Sequence, residues 1–387
     1  MGESPCFLAH FRASLIRSPA SRSAGHVPGR LPDIGLWRQK FPSIPLCYGP
    51  GRHSPVNGEM SATAARSGCG MSGAVRWGVL GTAGIAARAF LPALREAGGG
   101  TAAVVAGRDL SRAEEFAARN GVTRAVRGYE AVIEDPSIDA VYIPLPNALH
   151  AQWTIAALEA GKAVLCEKPL CLTAEEAGNV IEVARRSARP LWEAFVFPFH
   201  PQTARLRGLL ADGAIGELRE IWSSFTFTME GTEDIRLDPA LGGGALYDVG
   251  CYPVRLAHLL FGGDAVAGHA VSVKGEAGVD IETAGVLEFD SGRLMMSCSF
   301  ALPFTTYTRL VGTGGEIRVT NPFHPGPHDG LEVWRDGRLV ARHEPGEGTA
   351  FSWGIRHIHE VLRGEAEPRH TAADDSLGTA RSLDMLR

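Results

Sequence analysis

The chain of 387 residues carries 38 Lys+Arg against 43 Asp+Glu, 45% hydrophobic and 7% aromatic residues, and seven cysteines. That length corresponds to roughly two domains; the net charge of −5 offers no basic surface for nucleic acid, and no uncharged apolar run reaches the ~18 residues of a membrane span. Cys6, Cys47, Cys69, Cys166, Cys171, Cys251 and Cys298 are odd in number and form no CxxC pair. This argues against a disulfide framework or structural zinc and for reduced thiols in a cytoplasmic protein.

Charge is unevenly spread. Residues 1–73 hold ten Gly, eight Pro and ten Ser, with eight Lys/Arg and three Asp/Glu, so this segment is +5. Residues 74–387, with 30 Lys/Arg and 40 Asp/Glu, are −10. The segment 1–73 shows no helical or strand periodicity and is expected to be disordered. Arg12 and Arg17 interrupt its early apolar run, against a secretory signal. An organelle-targeting peptide, a disordered tail and a mis-assigned start all stay open for it, with Met71 (or Met60) the favoured functional start.

From Val75 the pattern becomes regular. Val75–Leu80 is a short apolar run ending at Gly81-Thr82-Ala83-Gly84-Ile85, after which Phe90, Leu91 and Leu94 recur at helical spacing up to Gly98. Strand, glycine turn and helix are the context for pyrophosphate, which the free N–H groups of a helix start attract. Ala83 and Ala86 stand where a dinucleotide fingerprint has its second and third glycines, so the turn by itself also fits an ordinary strand–helix connection.

Further buried strands follow at Ala102–Ala106, Ala140–Ile143 and Ala163–Cys166, alternating with helices at about 110–120 and 150–160. The alternation predicts a doubly wound parallel sheet over residues 74–195. Thr173 with Glu176 predicts a capping box for the next helix. At the end of the second strand, where an acidic residue would select NAD, the chain has Gly107-Arg108, with Ser111 and Arg112 after it. Those donors favour a 2′-phosphate and hence NADP, although Asp109 keeps NAD open.

Glu167-Lys168-Pro169 follows the strand Ala163–Cys166, at the sheet edge where ligands bind. Later, Gly242-Gly243-Gly244 precedes Asp248 and Tyr252, which share a face if a helix opens there. The glycines are expected to let a bulky ligand approach the backbone. A phenol, a carboxylate and a distant lysine suit alcohol–carbonyl redox chemistry, with the phenol passing the hydroxyl proton.

These segments, WGVLGTAGIA (77–86), PLPNALH (144–150), EKPL (167–170), EAFVFPFHPQ (193–202) and RLDPALGGGALYDVGCYPV (236–254), resemble the glucose–fructose oxidoreductase/inositol dehydrogenase/MocA-type family. Tyr at position 252 is similar to the branch holding dihydrodiol dehydrogenase and D-xylose dehydrogenase. The resemblance covers residue 75 onward and implies a catalytic pair, Lys168 and Tyr252, with the lysine lowering the tyrosine pKa. It also implies that Asp248 holds substrate hydroxyls, and that Pro146, Asn147, His150 and Glu167 lie along the cofactor ribose and nicotinamide. The second half, residues 196–387, becomes an α+β substrate domain with an open, mainly antiparallel sheet, implying a dimer or tetramer through that sheet.

Strand-like runs at Leu218–Thr228, Ala270–Lys274, Ala284–Phe289, Leu294–Phe300, Ile317–Thr320, Leu331–Trp334 and Arg338–Arg342 agree with such a sheet. Pro198 stands where many relatives carry an arginine near the substrate, and the chain ends at Arg387, earlier than expected for the family's last helix. His200 is read as structural, and His357 and His359 as part of a C-terminal surface helix with no metal site.

The expectation is therefore an NAD(P)-dependent oxidoreductase, preferring NADP, acting between a hydroxyl and a carbonyl of a sugar, polyol or cyclic diol. A non-catalytic cofactor- or sugar-sensing regulator on the same fold and an NAD-dependent glycosidase are the alternatives.

Overall fold

In the computed structural model, residues 73–231 and 233–387 are described; the expectations for residues 1–72, the start at Met60 or Met71 included, lie outside them. The first sheet is built from β1 (Val75–Leu80), β2 (Gly100–Gly107), β3 (Arg124–Arg127), β4 (Ala140–Ile143), β5 (Ala163–Cys166) and β6 (Leu191–Glu193). Its order is β3-β2-β1-β4-β5-β6, and every neighbouring pair is parallel. The order reverses between β1 and β4, which opens a crevice at the carboxyl ends of these two strands. β4 and β5 are buried along their whole length, which is why they read as apolar runs without alternation. The edge strands β3 and β6, of four and three residues, are too short to show a pattern and were not anticipated.

Helices cover both faces. On one face Val75, Trp77 and Val79 pack with α1 (Leu91–Ala97), α2 (Leu110–Asn120) and α8 (Ala350–Leu362). On the other, Leu80, Val141 and Val164 pack with α3 (Glu130–Ile133), α4 (His150–Glu159), α5 (Ala174–Ser187) and α9 (Ala372–Met385). The chain after the second sheet thus returns to the first. This corrects the surface-helix expectation for His357 and His359, which are 3% and 1% exposed. Phe351, Ile355 and Ile358 form the apolar stripe that binds α8 to the sheet, and the Trp77 indole donates to His359 Nε2 at 2.9 Å. A last helix, α9, does form, and it packs against α5. At α5, Thr173 accepts from the Glu176 N–H as expected, but the Glu176 carboxylate reaches the Leu172 N–H rather than that of Thr173.

The second sheet contains β7 (Leu218–Thr228), β8 (Ala267–Lys274), β9 (Asp280–Phe289), β10 (Gly292–Ser299), β11 (Ala301–Thr305), β12 (Thr308–Gly312), β13 (Gly315–Thr320), β14 (Gly330–Arg335) and β15 (Arg338–His343). Its order is β15-β14-β13-β12-β7-β10-β9-β8, with β11 beside β7; the β7–β10 pair is parallel and the rest are antiparallel. β11 and β12 were not anticipated: β11 is exposed along most of its length and carries Pro303, so it lacks alternation. The inner face buries Ile221, Leu287, Leu294 and Leu310 against α6 (Pro201–Ala211) and α7 (Cys251–Phe261). The outer face leaves Trp222, Val271 and Tyr307 exposed.

Candidate active site

Three turns meet at the carboxyl edge of the first sheet. The first follows β1. Gly81 has φ +101°, and a Cβ there would stand 3.0 Å from the Leu145 side chain. Thr82, Ala83, Gly84 and Ile85 lead into a π-helical turn, Ala86–Phe90, that continues as α1. No side chain caps this opening and its first turn holds no acidic residue. The opening therefore carries no competing carboxylate, the setting in which free backbone N–H groups of a helix start attract a pyrophosphate.

After β2, Arg108, Ser111 and Arg112 are exposed. Asp109 is the N-cap of α2; its Oδ1 accepts from the Ser111 hydroxyl at 2.7 Å and the Arg112 N–H at 3.3 Å. The Ser111 hydrogen bond holds the Asp109 pKa below the ordinary carboxylate value. Capping thus engages the one carboxylate that favoured NAD, and it engages the Ser111 hydroxyl as well.

The turn after β4 begins at Pro146. Asn147 donates its side-chain N–H to the Gly242 carbonyl at 2.9 Å, tying this turn to the glycine triplet. His150 is fully buried, with Nδ1 2.7 Å from the Pro169 carbonyl and Nε2 2.8 Å from that of Leu145. Burial lowers its pKa. The ring joins the turns after β4 and β5 from inside and braces them. Glu167 is also buried, and its Oε1 accepts from the Tyr142 hydroxyl at 2.6 Å. Burial raises its pKa against the pull of Lys168.

Lys168 stands at the centre. Its ammonium donates to the Asp248 carbonyl at 2.8 Å and to Asp248 Oδ1 at 3.1 Å, and it lies 5.2 Å from the centre of the Tyr252 ring. Asp248 Oδ2 accepts from Arg236 Nε at 2.8 Å, so both carboxylate oxygens are engaged by cations. The side chains of Lys168 and Asp248 are only 13% and 17% exposed. Burial opposes both charges, yet Asp248 raises the Lys168 pKa and the two cations lower that of Asp248. The pair is charged.

Tyr252 opens α7, which follows a second π-helical turn, Leu246–Gly250. Its ring is 8% exposed among Phe195, Phe225 and Phe323. Burial raises the phenol pKa; Lys168 pulls it down without overcoming burial. The lysine thus acts on the phenol in the expected direction, and burial outweighs it because the ring is surrounded by apolar side chains. His324 lies beside the phenol, with Nε2 3.5 Å from the hydroxyl.

The glycine triplet also departs from expectation. A Cβ on Gly243 would fall 2.4 Å from the Arg236 carbonyl oxygen, and one on Gly244, at φ +124°, 2.2 Å from Asp280 Oδ1. The room is filled by the protein's own chain, which brings Arg236 to Asp248 and lets Asp280 Oδ2 accept from the Leu246 N–H at 2.7 Å. Pro198 is buried in the turn Phe197–Phe199, and His200 caps α6, accepting from the Gln202 N–H at 3.1 Å.

Sequence reasoning missed Arg236 and His324. Arg236 lies inside the 236–254 segment, and a cation near Asp248 was a readable signal. His324 sits in an irregular Pro- and Gly-rich loop and carried none. Among the described residues no group of three or more His, Cys, Asp or Glu could hold a metal ion, and no helix is long and apolar enough to cross a membrane. Cys166, Cys171, Cys251 and Cys298 are free and buried.

Comparison with known proteins gives a consistent picture. Residues 75–195 match the model of an oxidoreductase family with an NAD-binding Rossmann fold, and residues 203–318 match the GFO/IDH/MocA C-terminal domain. The chain is 41% identical over 269 residues to D-xylose 1-dehydrogenase (NADP(+)) 2 of Haloferax volcanii, covering 68% of this chain and 82% of the relative. It is 32% identical over 311 residues to human trans-1,2-dihydrobenzene-1,2-diol dehydrogenase, covering 75% and 89%. A 3-ketoreductase from Actinomadura kijaniata, solved with NADP and TDP-benzene, superposes with a TM-score of 0.76 at 32% identity, covering 81% of this chain and 97% of that one.

Proposed function

Because the chain belongs to the GFO/IDH/MocA family of oxidoreductases, we propose that it moves a hydride between a nicotinamide cofactor, NADP in preference to NAD, and a hydroxyl or carbonyl carbon of a sugar, polyol or cyclic diol. The observation that carries this reading is the assembly of Lys168, Asp248 and Tyr252 at the carboxyl edge of the first sheet, reached from the same edge as the uncapped glycine turn. The relatives support the substrate class: their names span an aldose, a cyclic diol and a nucleotide-linked keto sugar.

The residues fit the cofactor. Gly81 to Ile85 would hold the pyrophosphate through backbone N–H groups, Arg108 and Arg112 the adenosine 2′-phosphate, and Pro146 and Asn147 the ribose beyond the switch point. When bound, the nicotinamide supplies the acceptor or donor of hydride. Tyr252 handles the proton: its phenol, protonated at neutral pH, gives a proton to the carbonyl oxygen during reduction and takes one from the alcohol during oxidation. Lys168, kept charged by Asp248, presents a fixed positive charge to the oxygen on which negative charge develops. Asp248 orients the lysine and, with Arg236, lines the site with donors and an acceptor for neighbouring hydroxyls. Neutral polyols are the ligands such a balanced cluster suits.

The test is kinetic. Tyr252→Phe and Lys168→Met should each lower kcat by about 10²–10⁴-fold, the range for a positioned acid–base group, while NADP affinity measured by fluorescence titration stays within about threefold. Near-normal turnover by either variant on the substrate panel of aldoses, polyols and cyclic diols sinks the reading.

A further inference from the structure

We propose that His324 is the proton exit of the active site: its Nε2 exchanges a proton with the Tyr252 hydroxyl and hands it to water. The inference rests on the reading of Tyr252 as the proton-transfer group. It starts from a contrast in exposure. Tyr252 is 8% exposed and ringed by Phe195, Phe225 and Phe323, with ring centres 5.1–5.3 Å away, so bulk water has poor access to its hydroxyl. His324 is exposed, yet its ring centre lies 5.4 Å from that of Tyr252 and its Nε2 3.5 Å from the phenol oxygen. Such contacts shorten when a site fills and closes.

The other ionisable groups nearby are engaged elsewhere. The Lys168 ammonium points its hydrogen bonds at Asp248, and Asp248 holds Lys168 and Arg236. Glu167 holds the Tyr142 hydroxyl. His324 is the side chain that joins the phenol to solvent.

The loop holding His324 is fixed at both ends. Asn321 Oδ1 accepts from the His324 N–H at 3.2 Å, and the Asn321 amide donates to the His324 carbonyl. That same amide donates to Asp329 Oδ2 at 3.2 Å, and Asp329 Oδ2 also accepts from the Gly326 N–H at 2.7 Å. Phe323, fully buried, stacks on Phe225 at 5.7 Å and 8°. Among the described residues, Lys168 acts on the ring by its charge and Tyr252 by its hydroxyl, while Asp329 of the same loop is bonded to Asn321 and Gly326. Burial against surrounding protein atoms and then Lys168 lower the imidazole pKa from 6.5 to about 4. The ring is therefore neutral at neutral pH and able to accept.

During oxidation the substrate O–H bond breaks and its proton passes to the Tyr252 oxygen. The Tyr252 O–H bond breaks in the same movement, an N–H bond forms at His324 Nε2, and the substrate C–H electron pair leaves with its hydrogen as hydride for the oxidised nicotinamide cofactor of the proposed reaction. The imidazolium then releases one proton to water. Reduction runs the same bonds backward, with His324 recharging the phenol from solvent. A neighbouring base spares the buried phenol from having to ionise beforehand, which its raised pKa opposes.

The experiment compares His324→Gln, His324→Ala and Tyr252→Phe in the full chain, with NADP binding and circular dichroism as controls for folding. His324→Gln should lower kcat for alcohol oxidation about 10–100-fold, below the full general-base range because Tyr252 remains. The acidic limb of its kcat–pH profile should flatten. Imidazole should restore His324→Ala in proportion to its unprotonated fraction. Wild-type turnover with an unchanged acidic limb overturns the relay, as does a loss that imidazole does not repair and that leaves the profile shape intact. If Tyr252→Phe retains turnover, the reading beneath the relay fails; if Tyr252→Phe is inactive and His324→Gln normal, only the relay does.

Discussion

Two helix openings in this molecule look alike and are furnished in opposite ways. Each follows a glycine-bearing turn and begins with a five-residue π-helical turn, Ala86–Phe90 before α1 and Leu246–Gly250 before α7. At the first, the donors are backbone N–H groups, with no acidic residue in the first turn and no side-chain cap. At the second, the glycines are pressed against the Arg236 and Asp280 segments, and the turn delivers Asp248 and Tyr252 to Lys168. A bare opening is suited to hold an anion, and a filled one to fix ionisable side chains. On the proposed reading, binding and chemistry are separated between two copies of one local form.

Substitutions that act on one opening should leave the other's readout in place. The largest effect is expected from Asp248→Ala, which leaves Lys168 and Arg236 as uncompensated neighbours; kcat should fall about 10²-fold or more, with NADP affinity nearly unchanged in fluorescence titration. Gly81→Val should do the reverse. A β-branched residue at φ +101°, with its Cβ near Leu145, should weaken NADP about tenfold or more, or roughly 1.4 kcal/mol, with kcat at saturating cofactor largely kept. A parallel fall of kcat and cofactor affinity in both variants would break the separation.

Arg108→Glu sharpens the first opening further. It should lower the NADP-to-NAD ratio of kcat/KM about tenfold, the scale of one charge-assisted phosphate contact; an unchanged ratio would remove Arg108 from the 2′-phosphate site. The smallest effect concerns Glu193, behind the second constellation. It accepts from the Leu170 N–H, just after Lys168-Pro169, and from Ser376, and burial raises its pKa to about 7 from 4.5. The folded state binds this proton more tightly than the unfolded state. Its contribution to stability is complete below pH 4.5 and is lost as pH rises through about 7. Glu193→Gln should flatten that part of the profile, with Tm differences of about a few degrees between pH 5 and 7.5 in a melting series. Equal slopes for variant and wild type would contradict this.

Much of the first sheet was legible because it is buried on both faces: β4 and β5 read as unbroken apolar runs and β1 as one interrupted by Arg76, and the turns that follow them carry Gly81, Pro146 and Glu167-Lys168. Strands β7 to β10 and β13 to β15 were legible through alternation and turn residues. β3, β6 and β11 were not, since short or exposed edge strands have no face to repeat. The helix of His357 and His359 was misplaced for a different reason. Its apolar stripe was readable, but the surface it covers, Val75, Trp77 and Val79, lies more than 270 residues earlier in the chain.

By itself the sequence determined the Rossmann-type order of strand, glycine turn and helix, the family, and the trio Lys168, Asp248 and Tyr252, since local periodicity and contiguous motifs encode all of these. Tertiary structure decided which charges are spent. His150 faces two carbonyls, the glycine triplet is filled by Arg236 and Asp280, Lys168 is engaged by Asp248, and burial outweighs the pull of Lys168 on the phenol. Each of these depends on burial and on partners brought from distant segments, and desolvation has no local code in a chain.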